Sequence, residues 1–241
     1  MSGFFYNLGR KVGPKVRKGK WIWHSLTGTE ADSIQAEYEV GLDLANEIRL
    51  QFAGKNLQSD LLDEVGRRLA KRVVNKQRKF SFEIIEGDEP NAFALPGGFI
   101  FVTEPILKLC EWDADEIAFI LSHEMAHVIR GHAMERIISS TLTSVISRTS
   151  IARGMVSAWI KNVGLKFFES AYSQSREFDA DGLGGRLMKA AGFKPDGAEK
   201  LLKRLWKLSS DNDPLGMSVY FSTHPPFNER IGNINSVLGQ K

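Results

Sequence analysis

Apolar residues recur at helical spacing from residue 30 to 53, with Ile34, Tyr38, Leu42, Ala45 and Ile48 or Arg49 along one face. Residues 60–76 repeat that spacing with Leu61, Val65, Leu69 and Val73. The period then changes. Phe80 to Ile85 alternates and predicts a strand, and Phe99 to Val102 predicts another, entered through Pro96-Gly97-Gly98. Thr103 followed by Pro105 starts a short helix. Next comes a helix apolar on all sides, with Ile117, Phe119, Ile120 and Leu121; Asp113 can cap it, with Glu116 three residues on as in a capping box. Further helices are expected within 137–170, through Glu177 to Gly192, from Pro195 to Leu208 and from Pro226 to Leu238. The order predicts an α+β fold, mostly helical with a small β-sheet, without internal repeats or low-complexity segments.

The chemistry enters on the apolar helix. Residues 123–127 read His-Glu-Met-Ala-His. Positions i and i+4 share a helix face, so His123 and His127 can aim two imidazoles at one zinc ion, each at ~2.0–2.1 Å. Glu124, beside the first ligand, can act as general base toward water in the manner of a metalloprotease. A third protein ligand is needed. The HExxHxxGxxH pattern is excluded, because Arg130 and Ala133 stand where Gly and His are required. His132 lies five residues after His127, about 140° round the helix, and is expected to pack or hydrogen-bond near the helix end, where Gly131 loosens the turn. A better source is Ser175-Arg176-Glu177-Phe178-Asp179-Ala180-Asp181. Glu177 and Asp181 share a face; one can bind the metal while the other accepts the ring N–H of a ligating histidine. Asp179 points away and is expected to be solvated.

Four blocks in order carry a resemblance: Asn91-Ala92-Phe93-Ala94-Leu95-Pro96-Gly97-Gly98; His123 to His127 with Gly131-His132; Ser175-Arg176-Glu177 to Asp181; and His224-Pro225-Pro226 with Arg230-Ile231. The chain resembles the HtpX, CAAX-prenyl-protease and Oma-type zinc metallopeptidases, a gluzincin group. The resemblance implies a zincin-type domain with one zinc ion per chain, His123, His127 and Glu177 as its ligands, Glu124 as base and Asp181 behind the ligands. It departs from the membrane-embedded members of that group. Ile137 to Ser147 is an uncharged run of 11 residues that Arg148, Arg153, Lys161 and Lys166 cut short, whereas spanning a bilayer needs roughly 20 apolar residues. That region reads as helices over the cleft, with Gly154 and Gly164 as breaks.

Hydrophobic content of 42% and charged content of 25% fit one globular domain, residues 29–241, behind a basic arm at 1–28. The single Cys110 excludes an intramolecular disulfide and is expected to be buried. Residues 1–20 carry six basic residues and no acid although the whole chain is only +3. Three readings of the arm compete: a solvated extension, peripheral contact with an anionic membrane through its basic and aromatic residues, and nucleic-acid binding, which the acidic body disfavours. No signal peptide is evident. The expected location is cytoplasmic or peripheral to a membrane, and the acid-poor start also fits organellar import.

Two further roles follow from chemistry. The developing oxyanion of peptide hydrolysis needs a donor besides the metal, and His224 and Arg230 are the candidates. His224 could instead close the metal's open position and hold the protein latent. An unfolded protein or peptide is expected to bind as an added strand along a sheet edge at Asn91, Ala92, Phe93, Ala94 and Leu95. Backbone pairing of that kind favours a metalloendopeptidase acting on unfolded or misassembled protein. The alternative is a latent or inactive zinc-binding, chaperone-like module of the same fold.

Overall fold

The computed structural model describes residues 29–52, 59–137, 172–210 and 225–239. Helix α1 (Glu30–Gln51) opens on a capping box in which the Thr29 hydroxyl accepts from Asp32 N and the Asp32 carboxylate accepts from Thr29 N. Its buried stripe runs through Ile34, Gly41, Leu44, Ala45 and Ile48. Tyr38 and Leu42 sit at the border of that stripe, which is turned toward Leu44. Helix α2 (Asp60–Ala70) is capped by Ser59 and buries Leu62, Val65, Gly66 and Leu69, with Leu61 only partly covered. It ends at Ala70 rather than near 76. Lys76 folds back to donate to the carbonyls of Lys71 and Val73, at 2.9 and 2.7 Å, so those groups are satisfied without another turn of helix. Val73 is still buried.

Strands β1 (Ser81–Ile85), β2 (Ala92–Leu95) and β3 (Phe99–Thr103) form one sheet in the order β1-β3-β2. β3 runs parallel to β1 and antiparallel to β2. β2 adds a strand to the two that alternation predicts, because Ala-Phe-Ala-Leu shows no polar alternation. A 3-10 turn at Pro96–Gly98 joins it to β3. Gly98 there has φ +95°, and a Cβ on it would lie 2.0 Å from the Lys79 carbonyl oxygen.

The two faces of the sheet feed two cores. Phe93, Leu95, Phe99 and Phe101 pack with Leu44, Ala45 and Ile48 of α1. The alternate positions Ala94, Ile100 and Val102 join the larger core around the HExxH helix. β3 is therefore buried along its whole length.

Helix α3 (Glu104–Leu109) leads through a tight turn into α4 (Ala114–Ile129), the helix of the histidines. Cys110 is buried in this turn. Glu111 and Trp112 adopt φ 51° and 59°, a left-handed pair that costs about 1–2 kcal/mol per residue. Asp113 caps α4 through bonds from Asp115 N and Glu116 N. The reciprocal half of the expected capping box is absent, because the Glu116 carboxylate turns instead to Arg204 of helix α6 (Asp196–Ser210). Arg204 also holds Glu111, at 2.7 Å.

Helix α5 (Gln174–Ala190) lies along α4, and helix α7 (Phe227–Leu238) packs on α5. Small residues set these distances. A Cβ on Gly184 would come within 3.0 Å of His123 N and 3.1 Å of Ser122 C, and Gly182 and Gly185 face Val237, Ile234 and Leu238 of α7. Among the described residues no helix is long and apolar enough to cross a membrane. The arm at 1–28, the expected helices at 138–170 and His224 lie outside the described residues.

Gly184→Ala is expected to push α5 from α4, cost about 1–3 kcal/mol and weaken metal uptake; thermal melting and metal titration of the purified variant measure both. Glu116 is 1% exposed, and burial raises its pKa against the opposing Arg204. A raised acid favours the folded state when protonated, so its stability penalty is present at neutral pH and relieved as pH falls through the raised value. Arg204→Met should therefore cost about 1–3 kcal/mol at pH 7 and less at pH 5, read by urea denaturation at the two pH values.

Candidate active site

Helix α4 brings the two histidines together as its periodicity dictates. His123 Nε2 and His127 Nε2 are 3.2 Å apart and face the same point. At that separation at most one of the two nitrogens carries a proton. Glu177, in the first turn of α5, supplies the third corner, with its oxygens 3.4 Å from His123 Nε2 and 3.6 Å from His127 Nε2. Bonds of ~2.0–2.1 Å at tetrahedral angles put neighbouring ligand atoms about 3.3 Å apart. Each histidine nitrogen thus lies about a tetrahedral edge from the other and from one Glu177 oxygen, Oε2 for His123 and Oε1 for His127. The three residues form a buried group able to hold a metal ion. Among the described residues the donors are two imidazoles and one carboxylate, a set that matches a catalytic rather than a four-ligand structural zinc site.

Electrostatics point the same way. Burial drives His127 well below the usual histidine range, with His123 adding to the effect and Glu177 opposing it, which leaves a neutral ring with a lone pair to give. Burial also acts against charge on His123, but Asp181 and Glu177 outweigh it and raise that ring to about 10. Two buried carboxylates thus flank the His123 ring, Glu177 at Nε2 and Asp181 at Nδ1. Burial pushes the Glu124 carboxyl up to about 7, with His123 lowering it and Glu177 raising it. A carboxyl near neutrality is suited to exchanging a proton with water.

Asp181, one turn after Glu177, stands behind the first histidine. Its Oδ1 lies 3.0 Å from His123 Nδ1, an ion-pair distance with a poorly aligned N–H. Arg230 on α7 grips the same carboxylate with both arms, Nε to Oδ2 at 2.8 Å and Nη2 to Oδ1 at 2.7 Å. Burial opposes ionisation of Asp181, but Arg230 and His123 hold its pKa below the usual carboxylate value. Arg230, expected to donate to an oxyanion, is buried and has its bidentate fork on Asp181. With Nε and Nη2 on Asp181, Arg230 ties α7 to α5 beside His123. Asp179, expected to be solvated, is half-exposed and paired with Arg130 at 2.8 Å.

Other neighbours carry no pattern that spacing alone reveals. His132 begins a new helical segment beyond Gly131 (φ 75°), which redirects the chain so that His132 Nδ1 returns to 3.1 Å from His127 Nδ1. Tyr172 stacks on the His127 ring, 4.0 Å between centroids. Its backbone N–H donates to Glu177 Oε1 at 3.3 Å. The only hint of Tyr172 in the sequence is its position five residues before Glu177. Asn91 to Leu95 forms strand β2 and its approach, an edge of the sheet packed on α4. Among the described residues no strand pairs with its outer side.

A histidine-bearing helix, a third donor from a second helix and a small sheet beside them define a zincin-type α+β metallopeptidase domain. The chain belongs to Peptidase family M48, which it matches over residues 56–238. It is 34% identical to mitochondrial metalloendopeptidase OMA1 of Schizosaccharomyces pombe over 165 residues, which cover 66% of this chain and 47% of that protein. It is 27% identical to a protease HtpX homolog of Salinibacter ruber over 188 residues, 65% of this chain and 67% of the relative. It is 26% identical to the beta-barrel assembly-enhancing protease of Escherichia coli over 160 residues, 62% of this chain and 33% of that one. The chain thus spans less than half of the OMA1 relative.

Replacing Glu177 by Ala is expected to abolish stoichiometric zinc binding in equilibrium dialysis, and Asp181→Ala to weaken it by about 10–100-fold. Asp179→Ala should leave zinc content unchanged and cost no more than about 1 kcal/mol, since its ion pair is exposed.

Proposed function

We propose that this chain is a zinc-dependent metalloendopeptidase that hydrolyses peptide bonds in unfolded or misassembled protein. The observation that carries the reading is the buried group of His123, His127 and Glu177, two imidazole nitrogens 3.2 Å apart with one Glu177 oxygen near each, and Glu124 on the same helix turn. His123, His127 and Glu177 would hold one zinc ion, which supplies Lewis-acid polarisation of the scissile carbonyl and acidification of water. Glu124 accepts the proton of the attacking water and returns it to the leaving amine, and its raised pKa suits both steps. Asp181, with Oδ1 3.0 Å from His123 Nδ1, orients that ring, and Arg230 holds Asp181 in place. We assign oxyanion donation to His224, which precedes Pro225 and Pro226 in the sequence.

The outer side of β2 is the edge on which an extended substrate would add as a strand, at Asn91, Ala92, Phe93, Ala94 and Leu95. Recognition by backbone hydrogen bonds selects extended, unfolded chain over a particular sequence, and this supports a quality-control role. The names of the relatives, a metalloendopeptidase and a protease that enhances β-barrel assembly, are compatible with it. The basic arm, residues 1–28, is the segment we assign to peripheral contact with an anionic membrane.

The test is to incubate the zinc-loaded chain with reduced, alkylated protein, with and without a chelator, and to map cuts by mass spectrometry. Internal cuts at many positions, lost with chelator and restored by zinc, are expected. No cleavage by a zinc-replete chain would favour a binding module, and stepwise loss of N-terminal residues would make it an aminopeptidase. Glu124→Gln should keep zinc and fold while losing about 10²–10⁴-fold in turnover, the usual share of general-base catalysis. Near-normal turnover in that variant would remove Glu124 from the mechanism.

A further inference from the structure

The two histidines reach the metal position from one helix turn, yet they are held from behind by different chemistry. His123 has the carboxylate of Asp181 at its Nδ1. His127 has a second imidazole there, with His132 Nδ1 at 3.1 Å. The faces differ as well. The Tyr172 ring lies nearly parallel to the His127 ring, at 19° and 4.0 Å between centroids. The Arg136 guanidinium sits 3.7 Å from the centroid of that same tyrosine. Two groups that close to one ring cannot share a face, so Tyr172 is sandwiched between His127 and Arg136.

We propose that Tyr172 and His132 are the positioning residues of His127: the tyrosine ring fixes the plane of the imidazole, and His132 accepts its Nδ1–H. The inference rests on the reading of His127 as a metal ligand. When Nε2 gives its lone pair, the ring proton must be on Nδ1, so the partner at 3.1 Å must present a lone pair. His132 can do so only as the neutral ring protonated at Nε2. A neutral imidazole is a weaker acceptor than a carboxylate, and one hydrogen bond leaves the ring free to rotate about it. Stacking removes that rotation, because turning the His127 plane would break a face-to-face contact already closed on its other side by Arg136. Tyr172 also meets the third ligand through its backbone, N–H to Glu177 Oε1 at 3.3 Å. One residue thereby ties the second histidine to the carboxylate. The contact that matters on the side chain is the ring face and not the hydroxyl, so phenylalanine should serve as well.

The experiment compares Tyr172→Phe, Tyr172→Leu and His132→Leu in the full chain. Zinc dissociation constants are measured by competition with a chromophoric chelator, the visible spectrum is recorded with cobalt(II) in place of zinc, and the metal-free proteins are melted. Tyr172→Phe is expected to match wild type in affinity and spectrum. Tyr172→Leu and His132→Leu should bind zinc about 10–100-fold more weakly and shift the cobalt bands. A merely structural role would lower the melting temperature of the metal-free chain and leave the cobalt spectrum unchanged. If Tyr172→Leu does not fold, Tyr172→Met, which keeps bulk without a flat face, takes its place. Wild-type affinity and spectrum in His132→Leu, or in the non-aromatic Tyr172 variant, overturn the proposal. A wild-type chain that binds no zinc, or a His127→Ala variant that binds it normally, would instead overturn the reading on which the proposal rests.

Discussion

Helices α4 and α5 lie so close at Gly184 that a methyl group there would press on the backbone of His123. The donor group depends on that approach. His123 and His127 come from one helix and are brought together by its pitch, but Glu177 and Asp181 come from the other. A side-chain carboxylate has short reach, so the helix axes must be near enough for Glu177 to come within 3.6 Å of both imidazoles. Small residues on the facing side of α5 permit this, and Gly182 and Gly185 let α7 close on the opposite side.

The same packing buries charge, and burial has a cost that the site offsets by pairing. Asp181 is fully buried and would resist ionisation on its own. Arg230 meets it with a bidentate fork and His123 completes it. Such a cluster is poor evidence of net stability, since an apolar replacement of equal volume often does as well. In the proposed site its value is orientation: a fixed carboxylate beside His123 would hold that ring toward the metal position. Glu116 and Arg204 do related work at the other end of α4. They join the helix start to α6 and hold a turn in which two non-glycine residues sit in left-handed conformation.

The sheet contributes an edge. β3 is buried on both faces, with α1 on one side and the core of α4 on the other. β1 and β2 flank it, and β2 lies against the helix that carries the histidines. The packing of β2 on α4 thus relates that edge to the donor group.

The HExxH pair needed only the helical repeat, because i and i+4 share a face wherever a helix forms, and the apolar run from Ile117 to Leu121 made that helix legible. The strands at Phe80 to Ile85 and Phe99 to Val102 were readable from the sequence, and the start of α3 from Thr103 and Pro105. Strand β2 was less so, since four apolar residues carry no alternation, and the end of α2 was set by the return of Lys76 onto carbonyls that no pattern marks. The motif blocks singled out Glu177 and Asp181; how they divide around His123 and His127 is a matter of distances between two helices. The partner of Arg230, the return of His132 onto His127 after the turn at Gly131, and the stacking of Tyr172 were decided by tertiary structure alone. Sequence periodicity specifies which side of a helix a residue occupies. Which residue of another element lies opposite depends on how closely and at what angle the two elements pack, and that is a property of the assembled core.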